Sequence, residues 1–357
     1  MTRSLTEISL SFTAGVAIGA LASSGAEDWR ILYIISGLCC AGVAAILAVY
    51  LSGRLRSDWL LLPLFSFTGI FCFLTREFTP SPPSAVLLAL RETGKGFCDF
   101  IDTIPFGEEG TGALLKALLA GDRSGLPRGT VRIFRASGAS HLLALSGLHL
   151  GIIYLILKRL GMVFGNSPAA RVARSVAVVA ASLLYAVATG ASPSIVRAFL
   201  FITLNEAASL SGRKPKPSLI LAGALLIQLV VDPLQIRAIG FQLSYSAVAG
   251  IVILYPRLSA WYSSGKYDPI KKIWDSAVLS IACQAFTAPL AWYYFHTFPK
   301  HFLLTNLMAI PLTTALMVTA LLCVALSACG ICPALLVRAT DFLASTLVET
   351  LRIISLM

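Results

Sequence analysis

Long apolar runs separated by short polar stretches dominate the pattern of residues along this chain. Most runs approach the ~20 residues that an α-helix needs to cross a hydrocarbon core of ~30 Å. The pattern predicts an all-α, polytopic integral membrane protein with about ten transmembrane helices plus amphipathic helices. The runs cover residues 8–24, 31–52, 59–75, 141–157, 176–191, 195–210, 218–231, 241–255, 276–294 and 302–328.

Polar and helix-breaking residues divide the chain into five predicted segments. In the first, Gly15 and Gly19 form a small-xxx-small pair that lets two membrane helices approach closely. Prolines at 79–84, followed by mixed charges and glycines, predict an exposed loop. The segments are N-terminal transmembrane helices (1–75), an outer loop (76–111), an outer amphipathic helix-turn-helix (112–138), a main transmembrane domain (139–330) and a C-terminal amphipathic helix (331–357). For the last helix, a position in the membrane interface and a position in the wall of a hydrated passage are both considered.

The composition agrees with membrane insertion. Hydrophobic residues make up 57% of the chain and charged residues 13%, and the mean hydropathy is +0.82. A soluble chain cannot normally bury so large an apolar fraction. The first apolar run is followed by charges and by another run, so we expect a membrane anchor rather than a cleaved signal.

The net charge of +11 is distributed unevenly over the loops. Basic residues concentrate in every second loop, and the positive-inside rule places those loops in the cytoplasm. The N-terminus is therefore expected in the cytoplasm, and residues 76–140 outside. The basic loops contain Arg54, Arg56, Lys158, Arg159, Arg171, Arg174, Arg213, Lys214, Lys216, Arg257, Lys266, Lys271 and Lys272.

Three arginines follow one another at helical spacing in the helix-turn-helix segment. Arg128, Arg132 and Arg135 are separated by four and three residues, so they share one helical face. Such a face suits solvent or lipid headgroups beside a membrane. It also suits the phosphates of a nucleic acid, because guanidinium groups bind phosphate well. Both hypotheses stay open at this point.

Several polar side chains interrupt the apolar runs. The stretch SHLLALSGLHLG, residues 140–151, carries Ser146 and His149, with Gly147 and Gly151 available for helix packing. In TGASPSIVRAFLF, Ser192 and Pro193 predict a helix start, which puts Arg197 about one turn inside the membrane. That arginine either snorkels to the interface or faces a wet cavity. In GFQLSYSAVAG, Gln242 and Ser244 begin another span.

The sequence contains few of the motifs that common enzymes use. The sequence has no glycine-rich phosphate loop and no acidic cluster of a metal nuclease. We expect no cofactor and no metal, although Cys329 and Cys332 have a C-x-x-C spacing. An intramembrane serine hydrolase remains an alternative, with Ser146 as the nucleophile and His149 or His141 as the base. A membrane scaffold without transport activity is a further alternative.

Five ordered motifs resemble one known family. ALLAGDRSGLP, GASHLLALSGLHLG, TGASPSIVRAFLF, DPLQIRAIGFQLSYSAVAGIV and the stretch from QAFTAPLAWYYF to NLMAIPL are similar to the competence domain of the ComEC family. The resemblance runs from about residue 112 to about residue 326. It implies an inner-membrane channel through which single-stranded DNA enters the cytoplasm during natural transformation, and it makes residues 139–330 the channel domain.

The resemblance also assigns roles to individual residues. It implies that Ser146, His149, Arg197, Gln242 and Ser244 line the DNA passage. Arg123, in the family's GDR element, joins Arg128, Arg132 and Arg135 as an outer phosphate contact.

The implied partners follow from the same family. They are single-stranded DNA, the DNA receptor and the cytoplasmic DNA-translocation motor of the competence machinery, and membrane lipid. Many family members also carry an outer OB-like domain and a C-terminal metallo-β-lactamase-like domain, whereas this sequence has a short loop and ends at Met357. If those domains supply strand capture and degradation, this chain would need separate partners for both, including a nuclease. A reduced paralogue, a split-gene product and a truncated chain are the alternatives, and we also consider a homo-oligomer.

Overall fold

A computed structural model describes most of the chain. The described residues are 5–25, 29–51, 60–78, 85–108, 110–143, 147–165, 167–212, 214, 216–262, 268–296 and 300–357. All regular structure in these ranges is helical, which confirms the expected all-α class.

The helices follow the apolar runs closely in most of the chain. A short 3-10 helix, Pro233–Arg237, precedes α11. The α-helices are α1 (Leu5–Gly25), α2 (Trp29–Leu51), α3 (Leu61–Phe78), α4 (Ala85–Asp102), α5 (Thr111–Leu119), α6 (Arg128–Ala136), α7 (Gly147–Gly161), α8 (Pro168–Ala188), α9 (Pro193–Leu210), α10 (Pro217–Val231), α11 (Ile239–Ser259), α12 (Pro269–Phe295), α13 (Phe302–Ala328) and α14 (Ala334–Ser355).

Four described helices are long and apolar enough to cross a membrane. They lie at Leu5–Ser24, Pro168–Ala188, Ile239–Ser259 and Phe302–Ala328, and Ile34–Leu47 and Pro217–Val231 are shorter apolar helices. Length and composition of these helices thus indicate a helical membrane protein. The expected number of about ten crossings stays a prediction.

The expected loop at 76–111 is wrong for a large part of its length, because residues 85–102 form the helix α4. Gly94 and Gly96 lie inside this helix, where each glycine costs about 1 kcal/mol relative to alanine. Ile101, near the end of α4, is fully buried, and Phe97 packs partly against the same core. Burial of this apolar face stabilises a helix that composition alone did not predict.

The chain divides into two compact units. One comprises Met1–Pro82 with Leu204–Tyr245, and the other comprises Pro83–Thr203 with Ser246–Met357. The helices α9 and α11 each contribute residues to both units.

In the first unit, α1 and α3 pack at backbone distance. A Cβ atom built on Gly15 would lie 1.9 Å from the carbonyl oxygen of Ser66, and one built on Gly69 would lie 2.3 Å from that of Phe12. Gly19 faces Phe73. The predicted packing role of Gly15 and Gly19 is confirmed. Contacts advance together along both helices, so α1 and α3 are parallel.

Arg237 joins the ends of three elements in this unit. Its guanidinium donates to both carboxylate oxygens of Glu77, at 3.0 and 3.1 Å, and to the carbonyl oxygen of Ala20 at 2.9 Å. It also bonds the Ser23 hydroxyl and lies 4.9 Å from the centre of the Phe73 ring. The C-terminal ends of α1 and α3 therefore meet at the segment that follows α10.

The second unit has its core around α13. Leucines from α5, Phe134 from α6 and apolar residues of α14 surround the middle of α13. Cys323 of α13 lies 3.5 Å from the Thr340 hydroxyl of α14, so α14 turns back along α13. Protein thus covers one face of α14, whereas Leu335, Phe342 and Ile353 stay exposed, and the position of this helix in the membrane interface stays a prediction. The core residues include Leu114, Leu115, Leu118, Leu119, Leu316, Met317, Ala320, Ala344, Leu347 and Leu351.

Candidate functional site

His149 lies in the first turn of α7, which begins at Gly147. Its side chain is 0% exposed, and neither ring nitrogen has a hydrogen-bond partner among the described residues. The next residue, Leu150, belongs to an apolar cluster that α7, α8 and α9 share. A buried imidazole without partners costs about 1–3 kcal/mol, so packing alone does not favour histidine here.

Arg197 lies in the second turn of α9. This helix begins at Pro193 as predicted, and the Ser192 carbonyl oxygen accepts bonds from the N–H groups of Ile195 and Val196, both at 3.0 Å. The Arg197 side chain is 3% exposed and donates to the Ser194 carbonyl oxygen at 3.4 Å. Protein thus covers most of this side chain, and its relation to the membrane interface or to a wet cavity stays a prediction.

The first turn of α7 approaches the second turn of α9. A Cβ atom built on Gly147 would lie 3.5 Å from the Cβ atom of Ala198, which is an ordinary contact distance. His149 and Arg197 each lie within two residues of this contact. The structure thus brings the SGLH and SPS-x-x-R elements together, although 46 residues separate the starts of their helices. A Cβ atom built on Gly151 would meet no described atom within 4 Å, so the packing role of this glycine stays a prediction.

A strained turn precedes α9. Gly190 and Ala191 have φ angles of 72° and 50°, and left-handed backbone is costly for a residue other than glycine. The Gly190 nitrogen lies 3.5 Å from the Cβ position of Gly94 in α4, which is an ordinary contact distance, so the turn packs against α4. The Ser192 hydroxyl is buried without a hydrogen-bond partner among the described residues. The Ser192 hydroxyl is thus a further buried polar group beside the start of α9.

Tyr185 is a contact that the sequence analysis missed. Its hydroxyl donates to the carbonyl oxygen of Leu119 at 2.7 Å and ties the end of α8 to the start of the GDR turn. In that turn, the Ser124 N–H group donates to the Asp122 carboxylate at 2.9 Å, which lowers the pKa of Asp122. A tyrosine inside an apolar run does not reveal a carbonyl partner 66 residues away.

The three arginines of α6 are exposed on one face, opposite the fully buried Phe134. Within the described residues, Arg128, Arg132 and Arg135 have no ion-pair partner. Arg123 differs from them, because its Nε donates to the Leu143 carbonyl oxygen at 3.0 Å. It holds the GDR turn to the segment before α7, while the α6 face is free to bind an anion.

Gln242 and Ser244 belong to the other unit. Both are half-buried, and Gln242 Nε2 donates to the carbonyl oxygen of Ile236 at 2.8 Å, just before α11. The neighbouring Tyr245 hydroxyl donates to Gln228 Oε1 of α10 at 3.0 Å. Gln242 and Tyr245 thus form hydrogen bonds within this unit. The predicted role of Gln242 and Ser244 in lining the passage stays a prediction.

Ser146 lies outside the described residues, so the hydrolase alternative rests on the sequence alone. His141 is exposed and its Nδ1 lies 3.2 Å from the Gly138 carbonyl oxygen. The described part of the chain contains no group of three or more His, Cys, Asp or Glu side chains placed to hold a metal ion. Cys329 and Cys332 are exposed thiols at the turn between α13 and α14.

Comparison with known protein families gives one family model that matches the larger part of the chain. Residues 118–357 match the model described as Competence protein. The chain is 27% identical over 206 residues to ComE operon protein 3 of Bacillus subtilis, covering 56% of this chain and 24% of that protein. It is 29% identical over 203 residues to Competence protein ComA of Neisseria gonorrhoeae, covering 56% and 28%.

A third relative is Recombination protein 2 of Haemophilus influenzae, 27% identical over 217 residues that cover 58% of this chain and 28% of that protein. The chain thus aligns with about a quarter of the length of these curated relatives. No solved structure matches the chain significantly.

Proposed function

The chain belongs to the competence-protein family, and from that premise we propose that it forms an inner-membrane channel for uptake of single-stranded DNA during natural transformation. Its N-terminus would lie in the cytoplasm and the arginine face of α6 outside. The competence role rests on the family match, and the channel role rests on the site.

The observation that carries the channel proposal is the meeting of α7 and α9. Two elements separated in sequence place a buried imidazole and a buried guanidinium within two residues of one helix contact. Burial of such groups is expensive in a membrane protein and is typical of internal, functional surfaces. The exposed arginine face of α6 adds a phosphate-binding surface in the same unit.

The burial of His149 and Arg197 also limits the proposal. At 0% and 3% exposure, neither side chain can touch a strand in this conformation. We therefore assign the structure to a closed state, in which passage of a strand requires the first turn of α7 and the second turn of α9 to separate. Gly147 makes only an ordinary contact with Ala198, so a separation there disrupts no interlocked backbone packing.

We assign the protein no catalytic role in this process. The driving force would come from a cytoplasmic motor, and capture and degradation of DNA from a receptor and a separate nuclease. Membrane lipid and a second copy of the chain complete the proposed partners.

Deletion of the gene in a naturally transformable host tests the function. We expect loss of DNA entry into the cytoplasm, measured as protected internal label, with unchanged binding of DNA to the cell surface. Complementation with the parent gene is the control. Transformation at the parental level in the deletion strain would contradict the proposal.

A further inference from the structure

The segment from Ile104 to Ser137, which contains α5 and α6, follows α13 over most of its length. At the start of α13, the Thr305 hydroxyl donates to the Ser137 carbonyl oxygen at 2.6 Å. Near its end, Cys323 shares a buried cluster with Ile104 and with Val337 of α14. Thr305 and Cys323 are 18 residues apart, which corresponds to about 27 Å of helix. This length approaches the ~30 Å thickness of a hydrocarbon core.

The helix α5 fills the space between these two contacts. Its leucines share a core with Leu316, Met317 and Ala320, in the middle of α13. The helix α13 is the longest and most apolar of the candidate membrane spans. A segment that contacts its start, its middle and its end cannot lie entirely outside the membrane that α13 crosses.

Contacts with α8 show that α4 and α5 form a hairpin. Gly94 of α4 lies beside Gly190, just after α8, and Leu119 at the end of α5 bonds to Tyr185 near the end of α8. Both arms thus meet the C-terminal end of α8. The turn between them lies elsewhere, where the Gly107 N–H group donates to the Asp341 carboxylate of α14 at 2.8 Å.

One face of α4 carries charges that hydrocarbon would not tolerate. Glu92, Lys95, Asp99 and Asp102 follow at spacings of three, four and three, and all are exposed. Asp102 also pairs with Lys116 of α5 at 2.8 Å. Charged side chains at membrane depth face water or protein rather than lipid. We call these four residues the charged face of α4.

We propose that α4 and α5 form a re-entrant hairpin, which enters the membrane from the side of the α8 C-terminus and turns the charged face of α4 toward a water-filled vestibule. The proposed function described above does not include this hydrated surface. Three of the four side chains in the face are acidic, so it repels phosphate and is not a DNA-binding site. The inference depends on α13 crossing the membrane and does not depend on DNA transport.

Single cysteines in a cysteine-free background test the hairpin. Asp99→Cys samples the charged face, Glu108→Cys the turn and Arg132→Cys the exposed face of α6, while Ile101→Cys is a buried control. Native Cys329, restored alone, marks the far end of α13. Each variant is treated in right-side-out and in inverted membrane vesicles with a small charged methanethiosulfonate or with a bulky polyethylene-glycol maleimide.

We expect Arg132→Cys to react with both reagents from one side of the membrane. From that same side, Asp99→Cys and Glu108→Cys should react with the small reagent but not with the bulky one. Ile101→Cys should react only after denaturation, which also shows that each protein is present. Cys329 should react only from the opposite side.

Bulky-reagent labelling of Glu108→Cys at the rate of Arg132→Cys would show an external loop and overturn the hairpin. Failure of the small reagent at Asp99→Cys would overturn the hydrated vestibule. Reaction of Cys329 from the same side as Arg132→Cys would remove the premise that α13 crosses the membrane. None of these outcomes depends on transformation, so the proposed function can fail independently.

Discussion

At the scale of single residues, the candidate site combines two buried polar groups with an exposed basic face. The sequence indicated His149 and Arg197 as candidates because polar residues stand out in apolar runs. It could not reveal that their helices meet, because that contact depends on packing between segments 46 residues apart at their starts. The α6 arginines were easier to predict, since helical spacing alone places them on one face.

Replacement of His149 by leucine separates function from stability. His149→Leu removes two buried nitrogens that lack partners among the described residues, so we expect unchanged or higher thermal stability in detergent. We expect transformation to fall at the same time, because the passage loses its polar group. Leu150→Ala, at a fully buried neighbouring position, is the control, and its free energy of unfolding should fall by about 2–5 kcal/mol.

If the His149→Leu protein is stable and supports transformation at the parental level, His149 does not line the passage. A strong loss of stability would instead show that the imidazole has a structural partner.

The exposed arginines make a separate prediction about binding. Arg132→Gln removes one cation from the α6 face, so we expect the purified protein in lipid nanodiscs to bind single-stranded DNA about two- to fivefold more weakly. The slope of log affinity against log salt should fall by about one. Arg338→Gln, an exposed arginine on α14, is the matched control. Equal affinities for the two variants would favour lipid headgroups as the partner of the α6 face.

At the scale of elements, small residues determine how closely helices approach. The Gly15 and Gly19 pair was visible in sequence, but its partner was not, because many apolar helices could have supplied the opposing surface. The structure identifies that surface as α3, where Gly69 completes the contact from the other side. Sequence periodicity likewise showed that α14 is amphipathic, without showing that α13 packs against it.

A matched pair of glycine substitutions tests this packing. Gly15→Ala would place its Cβ atom 1.9 Å from the Ser66 carbonyl oxygen, so α1 and α3 must separate, at a cost of about 1–3 kcal/mol. Gly37→Ala in α2 meets no described atom within 4 Å and should be neutral or stabilising by up to about 1 kcal/mol. Thermal unfolding of the two proteins in detergent measures the difference. Similar melting temperatures would contradict the close contact.

At the scale of the whole molecule, the charge pattern and the packing of the first unit agree on orientation. Arg237 brings together the C-terminal ends of α1 and α3 and the segment after α10. The basic residues Lys214 and Lys216 precede α10, and the segment after it carries fewer basic residues. The positive-inside rule then places the Arg237 end outside.

Cysteine labelling tests this orientation. Gly240→Cys lies just after the Arg237 segment, at an exposed position with no described atom within 4 Å of its Cβ, and Ser218→Cys lies at the exposed start of α10. In right-side-out vesicles, we expect an impermeant maleimide to label Gly240→Cys and to label Ser218→Cys only after permeabilisation. The reverse pattern would show that the chain is inserted in the opposite orientation.

The sequence by itself determined the helical membrane class, most helix positions, the packing glycines of α1 and the family. These features depend on local spacing and on transfer of apolar side chains from water, which a linear pattern records. Only the tertiary structure decided which polar groups meet, that residues 85–102 form a helix, and that α5 packs along α13. The SHLLALSGLHLG stretch therefore supplied the candidate residue His149, but the contact of α7 with α9 had to come from packing between distant segments.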